Sequence, residues 1–234
     1  MIVAHATDIG CVRTTNEDSL LCIEPHIYVV ADGMGGHAAG EIASRMMIEA
    51  VKAALEHENP DYCTEERLRS VVLDANQRIM KASAENADYS GMGTTVSLFY
   101  VHYGYATWAH VGDSRIYLLR DGSISQLTSD HSLVNELLQR RQITSQEAEN
   151  YPHKNVLTRA VGVSPTLQVD TGWCDIRERD KFLLCSDGLT NMVSEEDIKN
   201  ICWADQPGDK ARRLVDAAIK GGGRDNITCI LIEI

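Results

Sequence analysis

Four stretches of the chain share one arrangement: an Asp held among small residues, placed at the end of an apolar, strand-like run or, in the last case, just before one. They are Tyr28-Val29-Val30-Ala31-Asp32-Gly33, Trp108-Ala109-His110-Val111-Gly112-Asp113-Ser114, Phe182-Leu183-Leu184-Cys185-Ser186-Asp187-Gly188 and Gly223-Arg224-Asp225-Asn226-Ile227-Thr228. Any one of them alone is ordinary turn chemistry. Four together ask for more, because a carboxylate at the end of a core strand is partly desolvated and needs a positive partner, and no Lys stands beside any of them. A divalent cation meets that need. All-oxygen ligation by Asp points to a hard ion, Mg²⁺ or Mn²⁺, rather than to zinc. No window carries the spacing of an EF-hand loop.

Two further segments can join such a site. Arg13-Thr14-Thr15-Asn16-Glu17-Asp18 offers a planar guanidinium suited to a phosphate and two acids able to hold metal-bound waters, although as a segment by itself it reads equally as a solvated loop. The Gly-rich run Asp32-Gly33-Met34-Gly35-Gly36-His37 lacks the Lys-Ser/Thr of a P-loop and does not fit the dinucleotide fingerprint. Its glycines let backbone approach an ion, and a Gly carbonyl can itself be a ligand.

The elements that must position these groups follow from the hydrophobic pattern. Short strands are expected at 2–8, 19–24 and 27–32, the last two joined as a hairpin around Glu24-Pro25-His26. Long helical patterns cover 37–58 and 64–86, the second opening on Thr64-Glu65-Glu66 as a cap with acidic first-turn residues. Strands resume at 94–103, 105–111, 115–119 and 124–127. A polar, helix-containing stretch over 132–164 follows, with strands again at 167–172 and 180–186. Helices at 194–202 and 207–220 and a final strand at 226–234 complete the order. Strands and helices come in blocks with tight hairpins, so an antiparallel α+β layered domain is expected rather than alternating βαβ units.

The 234 residues fit a single domain spanning 1–234, with no repeat and no low-complexity linker. With 44% hydrophobic and 24% charged residues, the chain can bury a full core. A formal charge of −12, without any Lys/Arg-rich block, disfavours nucleic acid and anionic membrane surfaces as partners. The apolar runs are far shorter than the ~20 residues of a membrane helix, and the N-terminus has no signal-like pattern, so a cytoplasmic protein is expected. The seven Cys are odd in number, widely spaced and never in a C-x-x-C pattern; they read as reduced, core-filling residues.

Taken in order, the motifs Arg13…Glu17-Asp18, Asp32-Gly33-Met34-Gly35-Gly36-His37, Gly91-Met92-Gly93-Thr94-Thr95, Gly112-Asp113-Ser114-Arg115, Ser186-Asp187-Gly188 and Arg224-Asp225-Asn226 resemble those of the metal-dependent Ser/Thr protein phosphatases (PPM, type 2C) in their compact bacterial form. The resemblance spans nearly the whole chain. It implies a four-layer α-β-β-α sandwich, two antiparallel sheets flanked by helices, with Mn²⁺ or Mg²⁺ at one edge: two core ions and a third, weaker one. On this resemblance Asp32 bridges the two core ions, Asp187 and Asp225 bind the first, and the Gly33 carbonyl binds the second with Glu17 acting through water. Asp113, with Asp187, holds the third. Arg13 grips the substrate phosphate, and Asp18 and Asn226 support the water network.

The chemistry so implied is attack on phosphorus by a hydroxide between two ions about 3.5–4 Å apart, with no covalent enzyme intermediate. Animal members of the family carry a His directly after the Asp-Gly; here Met34 stands there, which leaves a metal-bound water, or else His37, as the acid for the leaving group. The stretch 132–164 corresponds to the family's variable flap, where substrate choice is expected to reside. Expected partners are Ser/Thr-phosphorylated proteins, a cognate bacterial Ser/Thr kinase or its substrates, with the enzyme a monomer. The alternatives are a pseudophosphatase that binds phosphopeptides on the same fold and a metal-dependent hydrolase of another phosphoester.

Overall fold

The computed structural model describes residues 1–35, 39–149, 151–152, 156–204 and 208–234. In chain order its elements are β1 (Ile2–Asp8), β2 (Asp18–Ile23), β3 (Ile27–Met34), α1 (Ala39–Leu55), α2 (Glu65–Glu85), β4 (Gly93–Thr94), β5 (Val96–Val101), β6 (Tyr105–Val111), β7 (Arg115–Arg120) and β8 (Ser123–Gln126). After these come α3 (Leu133–Gln139), α4 (Ser145–Glu149), β9 (Asp170–Asp175), β10 (Lys181–Cys185), α5 (Asp187–Thr190), α6 (Glu195–Trp203), α7 (Lys210–Lys220) and β11 (Ile227–Glu233). One sheet runs β1-β11-β10-β7-β8 and the other β2-β3-β5-β6-β9, with β4 pairing β3 beside it. Every named strand pair is antiparallel.

Alternation along the strands builds four layers. On β3, Ile27, Val29 and Ala31 pack against α1 and α2, while Tyr28 and Val30 face the other sheet. On β10 and β11, Leu183, Cys185, Cys229 and Leu231 pack against α6 and α7, while Phe182, Leu184, Ile230 and Ile232 meet Tyr28, Phe99 and Trp108 between the sheets. Central strands are therefore apolar on both faces, which is why the sequence shows continuous apolar runs rather than a clean alternation. The expected α-β-β-α sandwich is the observed one.

Helix starts follow their caps. Thr64 accepts from the Arg67 amide at the head of α2, Ser194 from the Asp197 amide at α6, and Asp209 from the Arg212 amide at α7. The last cap places the start of α7 three residues later than the sequence expectation of 207; Pro207, like His37 at the expected start of α1, lies outside the described residues. The strand expected at 167–172 is displaced to Asp170–Asp175. Leu167 and Val169 are apolar because they pack on the core beneath α2, not because they pair, whereas β9 is an edge strand whose Trp173 is exposed. Cys63, Cys185, Cys202 and Cys229 are buried among apolar neighbours as free thiols.

Candidate metal centre

The acids arrive at one end of the sandwich by register. β2 and β3 pair with Asp18 directly opposite Asp32, which puts both carboxylates on the same face. β10 and β11 are antiparallel neighbours, so Asp187, just after β10, lies near Asp225, just before β11. Asp113 sits in the tight turn between β6 and β7. Seven of the nine site residues (Arg13, Glu17, Asp32, Gly33, Asp113, Asp187 and Asp225) line one cleft of about 360 Å³. A second cavity of about 340 Å³ shares Asp113 and Asp187 with it and is walled by Val134 and Leu138 of α3 and by Ala148 of α4, within the expected flap.

Asp18 and Asn226 stand behind the cleft. Asp18 is buried, accepts a 2.7 Å hydrogen bond from the Ser186 hydroxyl on Oδ2, and leaves Oδ1 buried without a partner. The Asn226 amide fastens the loop that carries Glu17: Oδ1 accepts from the Glu17 amide at 2.8 Å, and Nδ2 donates to the carbonyls of Ile9 and Thr15. Its described hydrogen bonds go to backbone, so it positions the loop.

Electrostatically the cleft is short of positive charge. Burial, reinforced by the neighbouring carboxylates, pushes Asp18 up to about 7, Asp113 to about 8 and Asp187 to about 6, and holds Asp32 well above the usual carboxylate range. Glu17 is raised for the same first reason. Arg13 is the one cation that lines the cleft among the described residues, and its Nη2 lies 2.7 Å from Asp225 Oδ2. These residues fit hard divalent cations: the donors are all oxygen, the carboxylates lack counter-charge, and Asp18 Oδ1 is an orphan facing no donor. Among the described residues no three His, Cys, Asp or Glu already stand at the spacing of a closed metal cage. The carboxylates ring a cleft rather than a point, as suits ions that keep much of their water.

Backbone approach is as tight as the Gly-rich motif suggests. The Gly33 amide donates to the Glu17 carbonyl at 3.1 Å, and a Cβ at Gly33 would fall on the Gly40 carbonyl at the start of α1. Gly33→Ala is therefore expected to force β3 and α1 apart, at a cost of about 1–3 kcal/mol, and to abolish turnover with it. Urea unfolding alongside an activity assay checks this; a variant of unchanged stability would show that the contact yields freely.

Thr95, Ser114 and Ser186 lie within the sequence motifs, but residue type and spacing assign them no role. Thr95 binds the Asp32 peptide on both sides: its amide donates to the Asp32 carbonyl at 2.8 Å and its hydroxyl accepts from the Asp32 amide at 2.9 Å. The same hydroxyl meets Ser114 Oγ at 2.7 Å, linking the strand end that carries Asp32 to the turn that carries Asp113. Small hydroxyl residues beside strand-terminal acids are the signal that could have found them.

A two-sheet sandwich with a carboxylate cleft at its edge and a single Arg at the mouth defines a metal-dependent phosphohydrolase. The sequence profile described as Protein phosphatase 2C matches residues 12–213, and the chain belongs to that family of metal-dependent Ser/Thr protein phosphatases. It is 41% identical over 241 residues to protein phosphatase PhpP of Streptococcus pneumoniae, covering 100% of this chain and 98% of that one. The crystal structure of the Mycobacterium tuberculosis serine/threonine phosphatase PstP/Ppp superposes with a TM-score of 0.93 at 36% identity, covering 100% of this chain and 98% of that one. A structure of the PstP catalytic domain in complex with two manganese ions matches at 35% identity and a TM-score of 0.90, over 98% of this chain and 96% of that one.

Proposed function

We propose that this protein hydrolyses phosphoserine and phosphothreonine esters of proteins, using two core Mn²⁺ or Mg²⁺ ions and a third, weaker one, and that it opposes a cognate Ser/Thr kinase as a cytoplasmic monomer. The observation that carries the catalytic reading is the ring of Glu17, Asp32, Asp113, Asp187 and Asp225 around one cleft, with Asp113 pushed up to about 8, Asp187 to about 6 and Asp32 held well above the usual carboxylate range, facing Arg13 as the one cation among the described lining residues. The names of the relatives support the substrate class. Among the described residues no helix is long and apolar enough to cross a membrane.

Asp32, Asp187 and Asp225 would hold the core ions with the Gly33 carbonyl and, through water, Glu17; Asp113 with Asp187 would hold the third. Bound there, divalent ions supply positive charge for a phosphate and a nucleophilic water at neutral pH. The chain's own groups do the rest. Arg13, half exposed at the mouth and on a mobile-length side chain, can turn its guanidinium from Asp225 to two oxygens of an incoming phosphate. Asp18 Oδ1, buried without a protein partner, would accept from a water beneath the cleft, while Ser186 fixes its other oxygen. Met34 lines the cleft and carries no transferable proton, so the leaving serine or threonine oxygen takes its proton from water. His37, the other acid considered, lies outside the described residues.

Incubation with p-nitrophenyl phosphate and a Ser/Thr-phosphorylated protein, each with and without Mn²⁺, tests the proposal. Metal-dependent phosphate release from both is expected, with nucleotides and phosphodiesters turned over far more slowly. No metal-dependent release from either would overturn it, and preference for a nucleotide or diester would reassign the substrate.

A further inference from the structure

We propose that His131 is a positioning residue for Asp113: it clasps the Gly112 peptide from both sides and so aims the carboxylate that follows. The inference rests on the assignment of Asp113 to the third ion.

Gly112 follows β6 with φ +109°, a conformation that L side chains rarely adopt, and a Cβ there would lie 2.5 Å from Thr95 Cγ2. The chain thus turns into Asp113 through a residue with no side chain of its own to hold it. His131 holds both the amide and the carbonyl of Gly112, and buried His110 adds a second contact to the carbonyl alone, Nε2 lying 3.1 Å from it. The His131 backbone amide donates to the Gly112 carbonyl at 2.7 Å, and its Nδ1 accepts from the Gly112 amide at 3.1 Å.

The tautomer follows from the partners. The Gly112 amide can only donate, so Nδ1 carries a lone pair and the ring proton sits on Nε2, which donates to Asp170 Oδ2 at 3.0 Å. Arg159 Nη1, 3.2 Å from that same Nε2, is also a donor; its hydrogen bond goes instead to Asp170 Oδ1 at 2.8 Å. Asp170, itself clamped by Arg159, thereby fixes which face His131 shows to Gly112, as outer carboxylates do for the histidines of metal sites. Burial lowers the His131 pKa and keeps the ring in this neutral form, although Asp170 pulls the other way. Buried His110, whose ring centre is 5.0 Å away, donates no charge either, since burial holds its pKa near 4.

His131 also stands where the two roots of the flap meet. Its carbonyl accepts from the Thr158 amide at 2.8 Å, and Ser132 bridges to Leu157. One residue therefore ties both ends of the flap to the turn that carries Asp113.

Asn and Gln separate this role from simple packing. In His131→Asn the amide oxygen can take the place of Nδ1 and accept from Gly112; in His131→Gln the amide reaches towards Asp170 and leaves the Gly112 amide unpaired. Mn²⁺ binding is measured by calorimetry on the substrate-free protein, with thermal unfolding as a control for folding. His131→Gln is expected to weaken the weakest Mn²⁺ site about 10-fold or more, the range seen for outer-shell partners, leaving the tighter sites unchanged, while His131→Asn stays near wild type. In an Asp113→Asn background His131→Gln should change nothing further. Equal behaviour of the Asn and Gln variants, or a full effect of Gln in the Asp113→Asn background, overturns the inference. If Asp113→Asn alone leaves Mn²⁺ binding intact, it is the third-ion assignment that fails.

Discussion

Asp32→Asn is expected to lower turnover of p-nitrophenyl phosphate and phosphoprotein by about 10³-fold or more, which at 1.36 kcal/mol per tenfold is the several kcal/mol that a metal site contributes to a phosphoryl transition state. The substitution keeps the side chain's shape and halves its bonding to cations. It leaves the scaffold alone, because the Asp32 backbone is held by Thr95 through its amide, its carbonyl and the Thr95 hydroxyl, none of which the side chain touches. Without metal the variant should unfold at a temperature no lower than the wild type, since Asp32 is pressed by Asp18, Asp187, Asp113 and Asp225 and its charge costs the folded state. Near-normal activity would remove Asp32 from the centre of the site, and a large fall in metal-free thermal stability would show that it carries the fold.

The metal-free protein should lose stability as pH rises from about 6.5 to 8, and Mn²⁺ should restore more of it at the upper end. The sign follows from linkage. Asp18 and Asp113 titrate in the folded protein at about 7 and 8, against an ordinary value of 3.8. Between those values the folded state holds protons that the unfolded chain has released, so raising the pH favours unfolding. Stability from these groups is complete below about pH 4 and is lost as pH passes through their folded values. Asp187, at about 6, adds to the loss earlier. His110, held near 4 by burial, works in the opposite direction below its unfolded value of about 6.5, so the clean window lies above it. Bound cations replace the protons, and Mn²⁺ affinity should therefore climb through the same range. Thermal unfolding in chelator and in Mn²⁺ at pH 6.5 and 8 measures both effects; a metal-free protein equally stable at the two values would show that the carboxylates are not crowded as the structure has them.

Much of the site was legible because its residues lie where strands end. Asp32, Asp113, Asp187 and Asp225 each adjoin an apolar run, and a strand end is a local property readable from burial pattern and small neighbours. Arg13 and Glu17 had no such mark: their segment read equally as a solvated loop, and the motif order gave them their roles. The groups that hold the acids in place were not legible in their roles. Ser186 reaches Asp18 from 168 residues away, Asn226 reaches Glu17 from 209, and Thr95 meets Ser114 across two strands. A hydroxyl or amide that bonds to distant backbone leaves no periodic signal. β9 was displaced for a related reason: packing and pairing both demand apolar residues, and only the neighbours distinguish Val169 packed in a loop from a paired strand residue.

The amino-acid sequence by itself determined the layered α+β class, most element positions, the hard-cation chemistry and, through the resemblance, the family. These depend on side-chain type and short-range spacing, which the chain carries whether or not it is folded. Only the tertiary structure decided that Asp18 opposes Asp32, that Arg13 rests on Asp225, that Gly33 and Gly40 meet backbone to backbone, and that His131 holds Gly112. Each of these is a contact between segments brought together by sheet register and layer packing. The charges are written in the sequence; their mutual repulsion, and hence the demand for metal, exists only once folding has gathered them at one edge of the sandwich.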